Sequence, residues 1–274
     1  MKKKMKVATI LAFAVLGMIL LMSILAPLIA PYDPLKIDMA NALEGPSREH
    51  LLGTDNIGRD LLSRVIYGGR QSMVLAAAAT SLSLALGCLI GMVAGYFGGW
   101  VDLVITSISN IFQGLPGMTM MIAIAGLTGS GVESMLLALV LTSWVSFSRL
   151  VRGEVMKLKE EAFVEGLRGL GAGHIRILFC HVAPNLISSI VIIFATRIAS
   201  SILSVASLSF LGLGLQPPAP DWGVMISDAR MYYRSSPLLA IAPGVCIVLL
   251  SLSINVIADW LRDCFDVRRD SIKE

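Results

Sequence analysis

The stretch VATILAFAVLGMILLMSILAPLIA, residues 7–30, carries no charged side chain over 24 positions. As a helix it is long enough to cross the roughly 30 Å of a bilayer's hydrocarbon core. A signal-peptide apolar region runs to only about 7–15 residues. The one small residue placed for cleavage, Ala30, is followed by Pro31. The run is therefore expected to remain as a first transmembrane helix. Outward from it, further apolar segments can be drawn at roughly 73–96, 103–126, 132–151, 186–208 and 238–258. Asn110, Gln113, Gly114, Pro116 and Gly117 interrupt the third. A break of that kind is tolerated only where the backbone is buried in protein or lines a wet cavity, so this span is either kinked or two shorter pieces.

The whole composition agrees. Of 274 residues, 55% are hydrophobic and 15% charged, and the mean hydropathy is +0.78. A soluble domain carries about 25% charged residues, so the solvent here is membrane lipid and the expected class is an all-α membrane protein with six transmembrane helices. A net charge of +3 without a basic, aromatic-laced cluster gives no nucleic-acid partner. Cys88, Cys180, Cys246 and Cys264 form no C-x-x-C pair, so neither a disulfide framework nor a structural zinc site is expected. There is no H-E-x-x-H, G-x-S-x-G or G-x-x-x-x-G-K-[ST]. His50, His174 and His181 all fall in connections. No catalytic or metal-binding residue is expected, and any ATPase must be a separate chain.

Lys and Arg set the orientation. With the N-terminus inside, inner segments hold Lys2, Lys3, Lys4, Lys6, Arg149, Arg152, Lys157, Lys159, Arg168, Arg176, Arg262, Arg268, Arg269 and Lys273. Outer segments hold Lys36, Arg48, Arg59, Arg64, Arg70, Arg230 and Arg234, which makes 14 against 7 with Arg197 left inside a span. Both termini are expected in the cytoplasm. The chain then divides into residues 1–30, the cytoplasmic N-terminus and first helix; 31–72, an extracytoplasmic segment; 73–258, a five-helix core with an inner loop at 152–184 and an outer loop at 208–237; and 259–274, a cytoplasmic tail.

Several features carry chemistry or mechanics. In the inner loop, Phe163, Leu167 and Leu170 sit at helical spacing among Glu161, Glu165 and Arg168, and Gly169, Gly171 and Gly173 follow. Such an amphipathic piece suits a partner's groove or the lipid headgroups. Arg197 lies about 12 residues into the fifth span, near mid-membrane, beside Thr196, Ser200, Ser204 and Ser207. Charges at that depth face a bundle interior or an aqueous path, while Ser and Thr stripes also serve helix packing. Arg197, Thr196, Ser200 and Ser204, with Asn110 and Gln113 at the break, are the candidate translocation pathway. Gly87, Gly91 and Gly95 make a small-xxx-small face for close helix contact. Met118, Met120 and Met121 read as filler rather than a soft-metal site. Asp55, Arg59, Asp60 and Arg64 alternate charge in an outer loop with Gly53 and Gly58 to make turns, favouring a structural network over a docking patch.

Three stretches resemble one known family. His50-Leu51-Leu52-Gly53-Thr54-Asp55-Asn56-Ile57-Gly58-Arg59-Asp60-Leu61-Leu62-Ser63-Arg64 is similar to the pattern H-P-L-G-T-D-x-x-G-R-D-x-x-S-R. Residues 208–223, LSFLGLGLQPPAPDWG, are similar to L-S-F-L-G-L-G-x-x-P-P-x-P-x-W-G. Glu165, Gly171 and Pro184 keep the spacing of the EAA loop, although Gly166 and Leu167 replace its alanines, His181 its isoleucine and Ala183 its leucine. Together these resemble the C-type permease subunit of dipeptide, oligopeptide and nickel ABC importers.

That resemblance implies a type I importer permease fold with a cytoplasmic coupling helix, in a bacterial inner membrane. It implies a B-type permease, two ATP-binding subunits and an extracytoplasmic substrate-binding protein as partners. ATP and magnesium would be bound by those partners, with no cofactor in this chain. Glu161, Phe163, Glu165, Leu167, Arg168, Leu170, Gly171 and Gly173 would form the coupling helix. The expected cargo is a di- or oligopeptide moved by alternating access. Nickel is the alternative within the family, and an ion-coupled secondary transporter the alternative outside it.

Overall fold

A computed structural model describes residues 6–270, with side chains through Cys264. Lys2, Lys3, Lys4 and Lys273 lie outside the described residues, as do the side chains of Arg268 and Arg269. Apart from one isolated bridge between Thr54 and Asp60, every regular element described is helical. The principal helices are α1 (Val7–Ile24), α2 (Leu61–Phe97), α3 (Gly99–Gly114), α4 (Gly117–Thr128) and α5 (Val132–Lys159). They are followed by α6 (Ala162–Gly169), α7 (Ile187–Phe210), α8 (Trp222–Asp228) and α9 (Leu238–Asp270).

Five of these, α1, α2, α5, α7 and α9, are long and apolar enough to span, and α3 with α4 makes a sixth that is bent by 91°. The break has a local cause. Leu115 precedes Pro116, and the proline ring bars the preceding residue from the helical region; Leu115 accordingly sits at φ −98°, ψ 140°. The expected third span is thus two pieces meeting at a right angle. The second span begins earlier than the apolar run suggests, at Leu61 rather than near 73. Asp60 nucleates it as N-cap, its carboxylate accepting both Ser63 N–H and Ser63 Oγ–H at 2.7 Å. Residues 61–72 are therefore helix, not outer connection.

The glycines of α2 decide the packing. A Cβ on Gly91 would lie 2.5 Å from the Ser148 carbonyl oxygen, one on Gly87 2.7 Å from that of Trp144, and one on Gly95 2.8 Å from that of Arg152. Hence α2 and α5 touch backbone to backbone along this ladder, as small-residue faces allow. One apolar cluster joins α2, α5, α7, α8 and α9 around Met135, Ile202, Leu208 and Leu250. A second, around Met92, Tyr96, Val155, Ile177 and Leu178, gathers the other ends of α2 and α5 beneath α6.

Two helices stop by the same device. Gly171 follows α6 at φ +77° and Gly212 follows α7 at φ +75°. The 6→1 bonds Ala172 N–H to Leu167 O and Leu213 N–H to Leu208 O, and the 5→2 bonds from each glycine, complete a Schellman cap at both.

Candidate functional site

The outer signature residues fold into one buried knot. The Asp55 carboxylate accepts the backbone N–H groups of Ile57 and Arg59 at 3.0 Å, receives Arg59 Nε at 2.6 Å, and lies 3.4 Å from Arg64 Nε. Arg59 and Arg64 reach across to Asp228 at the end of α8, at 3.7 and 4.0 Å. Asp60, besides capping α2, sits 2.9 Å from His50 Nδ1. Gly53 (φ +83°) and Gly58 (φ +79°) bring their backbones so close to the Glu44 and Asp38 carbonyls that no Cβ fits. Arg64 is 1% exposed, and Asp55, Arg59 and Asp60 are buried as well, so none of the four can present its charge to a docking protein.

The second signature completes the same knot. Arg64 Nη1 lies 3.4 Å from the carbonyl of Pro218. Trp222 donates Nε1–H to Val65 O at 2.9 Å, its indole lying on the bare backbone of Gly68 and Gly69. Asp221 is fully buried and caps α8 through Gly223 and Val224 N–H, while Ser72 Oγ–H donates to it at 2.7 Å. Burial pushes the Asp221 carboxyl above the usual carboxylate range, with those donors pulling it back. Asp228 is raised for the same reason, opposed by Arg64 and Arg59. Two motifs about 150 residues apart in sequence are thus one structural unit.

At the other end of α2 sits the candidate coupling helix. Val164 is fully buried against Tyr96, Val155 and Ile177, and Leu167 packs beside it. Phe163 is exposed and Leu170 is 86% exposed. The expectation of one apolar face through Phe163, Leu167 and Leu170 is therefore corrected: Val164 and Leu167 anchor, while Phe163 and Leu170 point away. Glu161 occupies the N-cap position of α6 without a side-chain cap, and Glu165 lies exposed in its first turn. Arg168 stands over the Tyr96 ring at 5.9 Å, and Tyr96 Oη lies 3.3 Å from His174 Nδ1. Gly171 is the left-handed cap, and Gly173 opens the next helical turn in extended conformation. With Ile175 and Phe179, the outward side chains make an apolar surface that stays exposed among the described residues.

The pathway candidates separate. Thr196 donates to Ile192 O and receives Arg262 Nη2 at 3.5 Å. Arg262 stands near the end of the apolar stretch Leu238–Cys264 of α9, so Thr196 and its neighbour Arg197 lie within reach of that end. Ser200 is exposed and Ser204 half-buried on α7. Ser207 borders an apolar recess of about 450 Å³ with Met118, Leu203, Phe210, Ile226 and Ile247.

Asn110 belongs to another place, a polar groove of about 320 Å³ between α3 and α5, while Gln113 is exposed one turn on, at the bend. There Arg149 Nη2 donates to Asn110 Oδ1 at 2.5 Å, and Arg152 forms a two-bond pair with Asp102. Asp102, Arg149 and Arg152 escape a reading that counts arginines toward orientation. The signal available was an acid and an amide eight residues apart on α3, facing two arginines on α5.

Comparison with known proteins accords with this geometry. Residues 87–270 match the model of the binding-protein-dependent transport system inner membrane component. Residues 4–46 match the N-terminal transmembrane domain of oligopeptide transport permease C. The dipeptide transport system permease protein of Alkalihalophilus pseudofirmus is 37% identical over 98% of this chain and 88% of its own length. The glutathione transport system permease protein of Pectobacterium atrosepticum is 40% identical over 90% of this chain and 82% of its own. The protein of the same description from Escherichia coli O6:K15:H31 is 40% identical over 91% and 82%. The chain belongs to the binding-protein-dependent transport system inner membrane component family, as a C-type permease subunit of an ABC importer.

Proposed function

We propose that this permease subunit imports small peptides, pairing with a B-type permease to form the membrane path. An extracytoplasmic binding protein delivers cargo, and two ATP-binding subunits hydrolyse ATP with magnesium, leaving this chain without chemistry of its own. Both termini face the cytoplasm on this reading, and α6 is the coupling helix.

The observation that carries the mechanical part is the two-sidedness of α6. Val164 and Leu167 lock it to α2 and α5, while Phe163, with Leu170, Ile175 and Phe179 from the turns that follow, stays exposed among the described residues. A helix held on one side and bare on the other suits insertion into a partner's groove. ATP-driven movement of that partner then becomes movement of α2 and α5, a two-state shift biased by the partner's contacts. The cargo rests on the relatives, whose names give dipeptide and glutathione, both peptides.

The test is reconstitution of the chain with its operon partners in liposomes. ATP-dependent uptake of labelled dipeptide or glutathione is the expected result. Uptake of nickel alone would transfer the assignment to the metal branch, and uptake without ATP would remove the importer reading of the mechanism.

A further inference from the structure

We infer that the groove between α3 and α5 is an oxyanion site in which Arg149 receives the carboxylate of the transported peptide; this rests on the peptide reading above. The two arginines in the groove differ in what neutralises them. Arg152 is held by both oxygens of Asp102, so its charge is matched. The hydrogen bond that holds Arg149 is to the amide oxygen of Asn110, at 2.5 Å, which carries no charge. Among the described residues no acid lines the groove, and Asp102 reaches Arg152 from beside it. The groove therefore presents one exposed guanidinium whose hydrogen bond is to a neutral amide rather than to a carboxylate.

The walls are built for an oxygen ligand. Ser109 and Ser148, each 2% exposed, are polar residues of the groove's lining, one on each helix. Its volume of about 320 Å³ lies within the roughly 300–1,000 Å³ of small-molecule pockets. A guanidinium meets a carboxylate in a planar two-bond pair that an amide oxygen cannot match. An arriving carboxylate displaces Asn110 from Arg149 and so loosens one of the polar side-chain ties, Arg149–Asn110 and Arg152–Asp102, that join α3 to α5. Cargo binding and movement of the bent helix are thereby the same event. A peptide's C-terminus and a lipid phosphate share this chemistry, and the test separates them.

The assembled transporter is placed in nanodiscs of pure phosphatidylcholine and titrated against trifluoroacetate, followed by fluorine NMR line width. Saturable broadening is expected, displaced by alanyl-alanine but not by its C-terminal amide. Arg149→Gln should weaken it about tenfold or more, the size of a lost charge-assisted bond. Arg149→Lys, which keeps the charge without the planar fork, should fall between, and it keeps the measurement open if the glutamine variant fails to assemble. Broadening equal to wild type in either variant overturns the site. Broadening abolished by added phosphatidylglycerol yet indifferent to the dipeptide assigns the groove to lipid and overturns the cargo reading. Displacement by the dipeptide without peptide uptake in liposomes would leave the site standing and sink the proposed cargo.

Discussion

Gly91→Ala probes the glycine ladder with a single methyl group. Its Cβ would lie 2.5 Å from the Ser148 oxygen and 3.1 Å from Arg152 N. These are backbone atoms on an α5 that cannot swing aside as a side chain would. Ordinary contact begins at 3.4 Å, so the helices must part by up to about 0.9 Å, with overpacking costs of about 1–3 kcal/mol. Alanine is also the better helix former, by about 1 kcal/mol, which obscures a single measurement. Gly153→Ala on α5 supplies the control, because a Cβ there meets nothing within 4 Å. The propensity gain is common to both variants and cancels in their difference. The Gly91 variant should therefore be less stable than the Gly153 variant by about 1–3 kcal/mol. Unfolding of the assembled transporter by sodium dodecyl sulfate, read from helical circular dichroism, provides the comparison. Equal midpoints for the two variants would refute backbone contact between α2 and α5.

Arg64→Ala should cost about 3–5 kcal/mol by emptying a buried cation's place and leaving Asp55 and Asp228 to share Arg59, and Arg64→Met with Asp228→Asn should recover part of it, seen as protease resistance of residues 31–60. Asp221 gives a pH signature. Its carboxyl is raised in the folded state, so its contribution is fully present below the unfolded value of about 4 and is lost as pH rises through the folded value. Asp221→Asn keeps an acceptor without titrating, so its unfolding midpoint relative to wild type should climb as pH is raised from about 4; a gap independent of pH counts against a raised carboxyl. On α6 the two faces should respond oppositely. Leu170→Glu, at an exposed site, should leave stability within about 0.5 kcal/mol while lowering co-purification of the ATP-binding subunits. Val164→Ala should cost about 1–3 kcal/mol, measured by the same unfolding assay.

The fold's outline was legible because bilayer physics is written in long apolar runs, and the ladder was legible because glycine at a four-residue spacing has few other uses in a spanning helix. The break at Pro116 was visible for a local reason, although its angle was not. What escaped depends on contacts distant in sequence. Nothing in residues 50–64 announces that Arg64 will meet Pro218. An eight-residue helix such as α6 cannot declare which apolar residues face inward, since Val164 and Phe163 differ only by which one finds the Tyr96 cluster. Arg149 and Arg152 were absorbed into a charge count that asks only which side they favour.

At 37 residues, α2 is a rod of about 55 Å. Its fulcrum is the ladder centred on Gly91, close to one end. The short arm to Tyr96 measures about 7 Å and the long arm to Leu61 about 45 Å at 1.5 Å per residue. A tilt about that fulcrum therefore displaces the far end roughly six times as much as the near one. Because the far end is tied by Arg64 and Asp60 to two other segments, they sweep with it as one load, and the leverage of the molecule is set by where three glycines fall along a single helix.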